Sequence, residues 1–280
     1  MFAQQCEGMR LTMFEKLKSA LRKRPQLFRA ARAVWVWPGA TCRRFARLTG
    51  PSAQALTHPW FLRDLSRYRE MGGTAKLSDL HPMLHEKTEE TPLDPSYFYQ
   101  AVWAAKRIHS AAPERHVDVG SDAEFVGILT AFAPVDFIDI RPLPVTLDNL
   151  TNMAGTVLDL PFEDRSVVSL SCMHVIEHIG LGRYGDPLDP LGTSKAAAEL
   201  QRVLATGGNL YVSVPTGAPR TEFNAHRVLS TEEILEAFAD LSLVSFSIMD
   251  DDCVFHDNVP PAGWDAERYA CGMFHFTRLV

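Results

Sequence analysis

From Pro113 onward, apolar residues fall in short runs that alternate with amphipathic stretches. Residues 116–120 form a short apolar strand that ends in Gly120, residues 125–132 follow as a helix, and 135–140 form a second strand with Asp139 near its end. Residues 167–172 read as a strand, 195–204 as a helix and 209–214 as a strand. A helix over 231–239 opens on Ser230-Thr231-Glu232-Glu233, which has the chemistry of a helix N-terminus. Residues 243–249 and 272–278 are the last strands. Strands that alternate with helices of this size predict a doubly wound, mostly parallel α/β sheet whose ligands bind at the carboxyl ends of its strands.

The text before Pro113 differs. Residues 59–112 are helical and rich in aromatics, with Gly72-Gly73 as a loop and Asp94-Pro95-Ser96 as a helix start. Before them, Phe14, Leu17, Leu21, Leu27 and Phe28 recur at roughly helical spacing among lysines and arginines, interrupted by Pro25 and Pro38-Gly39. The expected organisation is a basic amphipathic leader over 1–50, a helical extension over 51–112 and an α/β domain over 113–280.

The 280 residues are 46% hydrophobic and 22% charged, an ordinary globular composition. No apolar run approaches the ~18 residues of a membrane span, and no secretion signal is evident, so a cytoplasmic location is expected. Five scattered cysteines without a C-x-x-C pair read as reduced thiols. The net charge of −6 is uneven: residues 10–50 carry eleven Lys or Arg against Glu15 alone, a net of +10, and residues 51–280 carry −15. The basic leader suits peripheral contact with an anionic membrane face. The acidic body argues against a nucleic-acid partner, whose phosphates need clustered cations. Composition leaves the oligomeric state open.

The most specific text is Leu160-Pro161-Phe162-Glu163-Asp164-Arg165-Ser166, then a strand, then His174-Val175-Ile176-Glu177-His178, then Ala198-Glu199-Leu200-Gln201-Arg202-Val203-Leu204 with Gly207-Gly208. In this order and spacing it resembles the class I methyltransferases that use S-adenosylmethionine. With the run from Glu177 to Pro187 and Phe223-Asn224-Ala225-His226-Arg227, the chain is similar to an uncharacterised methyltransferase-like family, a domain of unknown function met near surface-polysaccharide genes. The resemblance implies a seven-stranded, mostly parallel Rossmann-like sheet. It implies cofactor contacts from Asp118, Gly120, Ser121, Asp139, Asp159 and Leu160, with the 158–162 loop beside the adenine. A glycine lets backbone approach the cofactor, and a carboxylate at a strand end can accept both ribose hydroxyls. The chain departs from the pattern at Asp122 and Glu124, which stand where second and third glycines are usual. It departs also at Thr156, where an acidic residue often holds the adenine amino group, and at Val168, where aspartate is common. Carboxylates in the first loop would crowd and repel the cofactor's own carboxylate unless the loop is rebuilt.

His174, Glu177 and His178 spell H-x-x-E-H, but Gly180 and Gly182 stop the helix that an inverted zinc-protease motif needs. In a methyltransferase context His178 is the first candidate base, His174 the second, with Glu177 beside them. By resemblance to hydroxyl methyltransferases with an E-H turn and a later histidine, Glu177, His178 and His226 are candidate ligands of a divalent metal. Gly180-x-Gly182-x-x-Gly185 follows a turn rather than a strand and reads as a loop over substrate, so Arg183, Tyr184, Asp186 and His226 are candidate acceptor contacts. Two functions follow as expectations. One is methyl transfer from S-adenosylmethionine to a small-molecule or glycan acceptor, such as a sugar hydroxyl of a lipid-linked saccharide. The other is a non-catalytic methyltransferase-like module recruited to a membrane surface.

Overall fold

A computed structural model of the protein describes residues 58–279. The leader, and the membrane contact expected of residues 10–50, lie outside them. The described residues divide between a unit that ends at Pro92 and a unit that begins at Leu93. The first holds helix α1 (Pro59–Glu70), with proline in its first turn and Arg67 and Arg69 in its last, where cations oppose the helix dipole. It buries none of its residues. No helix among the described residues is long and apolar enough to cross a membrane.

The second unit opens on α2 (Pro95–Ala111), which the sequence reading grouped with the 51–112 extension. The Asp94 side chain accepts a hydrogen bond from the Tyr97 amide at 3.3 Å, and Pro95 stands where its missing N–H costs nothing. Gln100, Trp103, Ala104 and Ile108 form a buried stripe on one helix face. Trp103 Nε1 donates to Ser247 Oγ at 3.1 Å and its ring meets Tyr211 edge-on at 6.1 Å. The helix is therefore a layer of the α/β unit, sealed to strands that lie over a hundred residues later in the chain.

Strands β1 (His116–Val119), β2 (Val135–Asp139), β3 (Leu150–Ala154), β4 (Val167–Met173) and β5 (Leu204–Thr216) run parallel in the order β3-β2-β1-β4-β5. Beyond β5 the order continues β10 (Ala270–Thr277), β8 (Ser242–Met249) and the two-residue β9 (Phe255–His256), each antiparallel to its neighbour. This is the expected seven-stranded sheet with a short edge strand added. β6 (Arg220–Glu222) and β7 (His226–Val228) make a separate ribbon. Sequence patterning missed β3, β6, β7 and β9, all of five residues or fewer and too short for a period to stand out.

Helices α3 (Ala123–Leu129), α4 (Gly192–Val203) and α5 (Thr231–Ala237) complete the two layers. Leu129, Phe125 and Trp103 pack with Phe137 and Tyr211 in one core cluster, and Leu200, Val203, Ile234 and Phe238 pack with Leu170 and Phe274 in another. With both faces covered, every residue of β1 is buried. The arrangement leaves Gly120, Asp139 and His174 just beyond or at the carboxyl ends of adjacent strands.

Candidate functional site

A cavity of about 580 Å³ opens there, lined by Gly120, Asp139, Thr156, Val157, Leu158, His174, His178 and Tyr184 among others. Gly120 sits at φ +69°, and a Cβ built on it would lie 3.2 Å from Val175 Cγ1 and 3.6 Å from Asp139 Oδ2, so any side chain would fill the cradle. Asp139 Oδ1 accepts the Arg141 amide at 2.6 Å, which leaves Oδ2 turned toward Gly120.

The other expected cofactor residues are placed differently. Asp118 is fully buried beneath the loop, where it accepts from the Ser121 amide at 3.1 Å, from Ser121 Oγ at 2.7 Å and from Ser171 Oγ. Ser121 Oγ in turn accepts the Met173 amide at 3.0 Å. Asp118 and Ser121 thus brace the Gly120 turn against β4 without lining the cavity. Ser171 Oγ is also 2.8 Å from His116 Nε2. Burial pushes the Asp118 carboxyl up to about 6 and the His116 imidazole down to about 3. Asp159 is exposed, and Leu160 is buried in the core with its amide on Glu199 Oε1 at 2.7 Å. Thr156, Val157 and Leu158 line the cavity instead, because the turn points Leu160 into the core. The crowding expected of Asp122 and Glu124 does not arise. Both are exposed, and Asp122 caps α3 by accepting the Glu124 and Phe125 amides at 2.9 and 3.4 Å. Val168 is 58% exposed, so the aspartate missing there removes a surface group.

His174 and His178 line the cavity, with Glu177 buried beside them. Glu177 is fully buried; His174 Nδ1 lies 3.1 Å and His178 Nε2 3.6 Å from its Oε1. His174 takes a left-handed backbone, φ +55°, and its Nε2 is 3.3 Å from Cys271 Sγ. Burial alone would push His174 down, but the Cys271 sulfur and the Glu177 carboxylate outweigh it and carry the imidazole up to about 10. His174 is therefore the charged partner of Glu177. His178 is pushed below its ordinary value by burial, against the opposing pull of Glu177. Its Nδ1 lies 2.7 Å from the Ala225 carbonyl. In the tautomer that donates Nδ1–H to this carbonyl, the Nε2 keeps its lone pair; the Arg183 guanidinium approaches the same Nδ1 at 3.3 Å. A base must be neutral, and burial pushes His178 toward the neutral form while His174 is pushed the other way.

The metal expected at Glu177, His178 and His226 finds no nest. Among the described residues no three His, Cys, Asp or Glu side chains are grouped so as to hold a metal ion. The Ala225 carbonyl occupies one nitrogen of His178, and the rings of His178 and His226 stand 6.4 Å apart.

Of the expected acceptor contacts, Tyr184 lines the cavity, its ring 5.7 Å from that of His178 and covered by the Arg141 guanidinium at 4.3 Å. Arg183 donates to the Ala225 carbonyl at 3.0 Å and so supports His178. Asp186 also reaches the cavity wall, but its carboxylate accepts the Gly180 amide at 2.7 Å and shapes the loop; despite partial burial, these amide bonds hold it below the usual range. Arg227, whose role no local pattern announced, bonds the Ile179 carbonyl at 2.7 Å and Thr193 Oγ1 at 3.1 Å, tying the loop to α4. Gly180 has φ +81°, and a Cβ on it would lie 2.0 Å from the Asp189 carbonyl oxygen. Gly180→Ala is expected to destabilise by more than the roughly 1 kcal/mol of a strained φ alone; urea unfolding followed by circular dichroism measures it, and an unchanged midpoint would show that the loop is not packed this way.

Residues 165–247 match a family described as Caenorhabditis protein of unknown function, DUF268. A search of curated proteins finds no match. Among solved structures, the cyclase SpnF is 13% identical with a TM-score of 0.50, over 76% of this chain and 91% of its own. YcgJ from Bacillus subtilis is 14% identical with a TM-score of 0.46, over 65% and 99%. The N-methyltransferase NodS from Bradyrhizobium japonicum, solved with S-adenosyl-L-homocysteine, is 14% identical with a TM-score of 0.47, over 66% and 88%. The chain has the class I methyltransferase fold. That the neighbour of highest score among these is named a cyclase is a reminder that this fold alone does not name the reaction.

Proposed function

We propose that the protein transfers a methyl group from S-adenosylmethionine to a hydroxyl of an acceptor held beside His178, the acceptor being a sugar in glycan or lipid-linked saccharide synthesis. The observation that carries the transfer reaction is the convergence, in one cavity, of a side-chain-free turn at Gly120, a carboxylate at Asp139 and a neutral histidine at His178. The saccharide rests on the sequence resemblance, and a place at the cytoplasmic membrane face rests on the charge of residues 10–50.

The cavity fits the cofactor, since a Cβ at Gly120 would occupy the space that its backbone leaves open. When bound, S-adenosylmethionine supplies a methyl group activated by a sulfonium. The protein's own residues do the rest. Asp139 accepts the ribose hydroxyls, and Thr156–Leu158 flank the base. His178 Nε2 takes the acceptor's proton, and the imidazolium so formed lies 3.6 Å from the Glu177 carboxylate, which stabilises it. Tyr184 and Arg141, stacked on one another, form part of the cavity lining.

Calorimetric titration with S-adenosylmethionine and S-adenosylhomocysteine tests this. A Kd of the order of micromolar is expected, weakened roughly 10- to 100-fold by Asp139→Ala, the worth of hydrogen bonds to a charged group. Folded protein that gives no heat at millimolar ligand, with or without divalent metal, would overturn the reading and favour the membrane-recruited module.

A further inference from the structure

Two guanidinium groups share one aromatic ring at the cavity. That of Arg141 lies 4.3 Å and that of Arg183 5.0 Å from the centroid of the Tyr184 ring. The ring's electron-rich face holds each of them, so the two positive charges stand less than about 10 Å apart. Both arginines are exposed and open to a ligand. Arg141 and Tyr184 line the same cavity as Gly120 and Asp139.

Neither charge is matched as others in the α/β unit are. Arg107, Arg115, Arg202 and Arg220 each meet a carboxylate at 3.0 Å or less. Arg141 reaches one only at 4.0 Å, and the oxygen it reaches, Asp139 Oδ1, already accepts the Arg141 amide. Arg183 spends its Nη1 on the Ala225 carbonyl at 3.0 Å, which leaves its Nη2 and Nε without a protein partner among the described residues. The carboxylates that line the cavity are turned elsewhere. Asp186 accepts the Gly180 amide at 2.7 Å and the Tyr184 amide at 3.3 Å, and Asp139 Oδ2 faces Gly120. Residues 51–280 carry a net −15, so two unmatched arginines at one opening make a local positive site on an acidic body.

We infer that Arg141 and Arg183 form a phosphate clamp at the cavity, and that the methyl acceptor is a phosphorylated sugar held there by its phosphate or diphosphate. The inference rests on the methyltransferase reading and gives its acceptor an anchor. A phosphate offers enough oxygens to take paired bonds from one guanidinium fork and still meet a second, whereas a carboxylate has only two. The Tyr184 ring stands 5.7 Å from that of His178. A sugar joined to the clamped phosphate therefore extends over Tyr184 toward His178, inside the cavity that Gly120 and Asp139 also line. A nucleotide-linked sugar and a lipid-linked sugar present the same phosphate chemistry to the two arginines.

Calorimetric titration of the full chain, saturated with S-adenosylhomocysteine, tests the clamp with α-D-glucose 1-phosphate, methyl α-D-glucopyranoside, UDP-glucose and geranyl phosphate as probes. Glucose 1-phosphate is expected to bind roughly tenfold or more tightly than the uncharged glucoside, and Arg141→Gln or Arg183→Gln to weaken it roughly 5- to 50-fold, the worth of a charge-assisted hydrogen bond. Arg141→Lys keeps the charge but loses the fork, and its affinity is expected to fall between. Tighter binding of UDP-glucose than of geranyl phosphate would put the acceptor's phosphate on a nucleotide, and the reverse on a lipid; either supports the clamp. Equal affinity for glucose 1-phosphate and the glucoside, or an affinity unmoved by both glutamine variants, would overturn it. So would a parallel loss of S-adenosylhomocysteine affinity in Arg141→Gln, which would assign that charge to the cofactor. Failure of the wild type to bind S-adenosylhomocysteine would instead overturn the methyltransferase reading, and the sugar phosphate titrated without it still reads the clamp. Thermal melts identify a variant that fails to fold, and the two glutamine variants, on separate loops, stand in for each other.

Discussion

His178→Ala is expected to lower kcat by roughly 10²- to 10⁴-fold, the range a positioned base contributes, equivalent to about 2.7–5.5 kcal/mol of barrier. KM for S-adenosylmethionine is expected to stay within about threefold, because the Gly120 turn and Asp139 do not depend on the imidazole. The pH profile carries the sign. Only neutral His178 can accept a proton, and burial places its pKa below 6.5. The wild-type rate therefore rises as pH increases through that lowered value and is level above it. In the variant the acidic limb disappears along with most of the rate. Formation of S-adenosylhomocysteine in single turnovers with a hydroxylated acceptor, between about pH 5 and 9, measures both. A variant that keeps a third or more of the wild-type rate would remove His178 from the chemistry. His174 is the weaker candidate, since the Cys271 sulfur and the Glu177 carboxylate push that imidazole up, away from the neutral form.

The second large effect is on stability. Trp103 is 2% exposed, sits between Tyr211 and the Arg107 guanidinium, and donates to Ser247. Trp103→Ala is expected to cost about 3–5 kcal/mol, from lost transfer energy and the cavity left behind. Little of this comes from the hydrogen bond, because Ser247 Oγ keeps its bond to Asp257 at 2.6 Å. For a unit of this size the melting temperature falls by roughly 6–20 °C. Differential scanning calorimetry measures it; a fall of less than 2 °C would mean that α2 is not docked on the sheet.

These two predictions draw on different layers of information. The His178 turn was legible because a hydrophobic strand, β4, stops abruptly at a polar run, and a strand end in a doubly wound sheet faces the ligand. Gly120 and Asp139 were legible for the same reason. Trp103 was visible only as one aromatic in a helical stretch, with nothing local to attach it to the sheet. Its partners, Tyr211 and Ser247, lie more than a hundred residues away, and only closure of the sheet brings them under the helix.

Acidic residues divided along the same line. Each of Asp118, Asp122, Asp139, Asp159, Glu177 and Asp186 could have faced the cofactor by its place in the sequence. The structure gives Asp118 to a buried serine network, Asp122 to a helix cap, Asp186 to loop amides and Asp159 to solvent, and leaves Asp139 at the cavity and Glu177 behind the histidines. Which amides and hydroxyls a carboxylate satisfies depends on groups from other strands, and residue type carries no record of them.

By itself, then, the sequence determined the order and type of the longer elements, the strand ends that bear Gly120, Asp139 and His174, and the charge imbalance between the leader and the body. These follow from local periodicity, capping and composition, which neighbouring residues decide among themselves. The tertiary structure decided that α2 belongs to the α/β unit, that His174 is pushed up while His178 is pushed down, and that Tyr97 packs on His174 and Tyr269 on His226. Each of these depends on desolvation and on contacts across long stretches of chain, and both arise only when the sheet has closed.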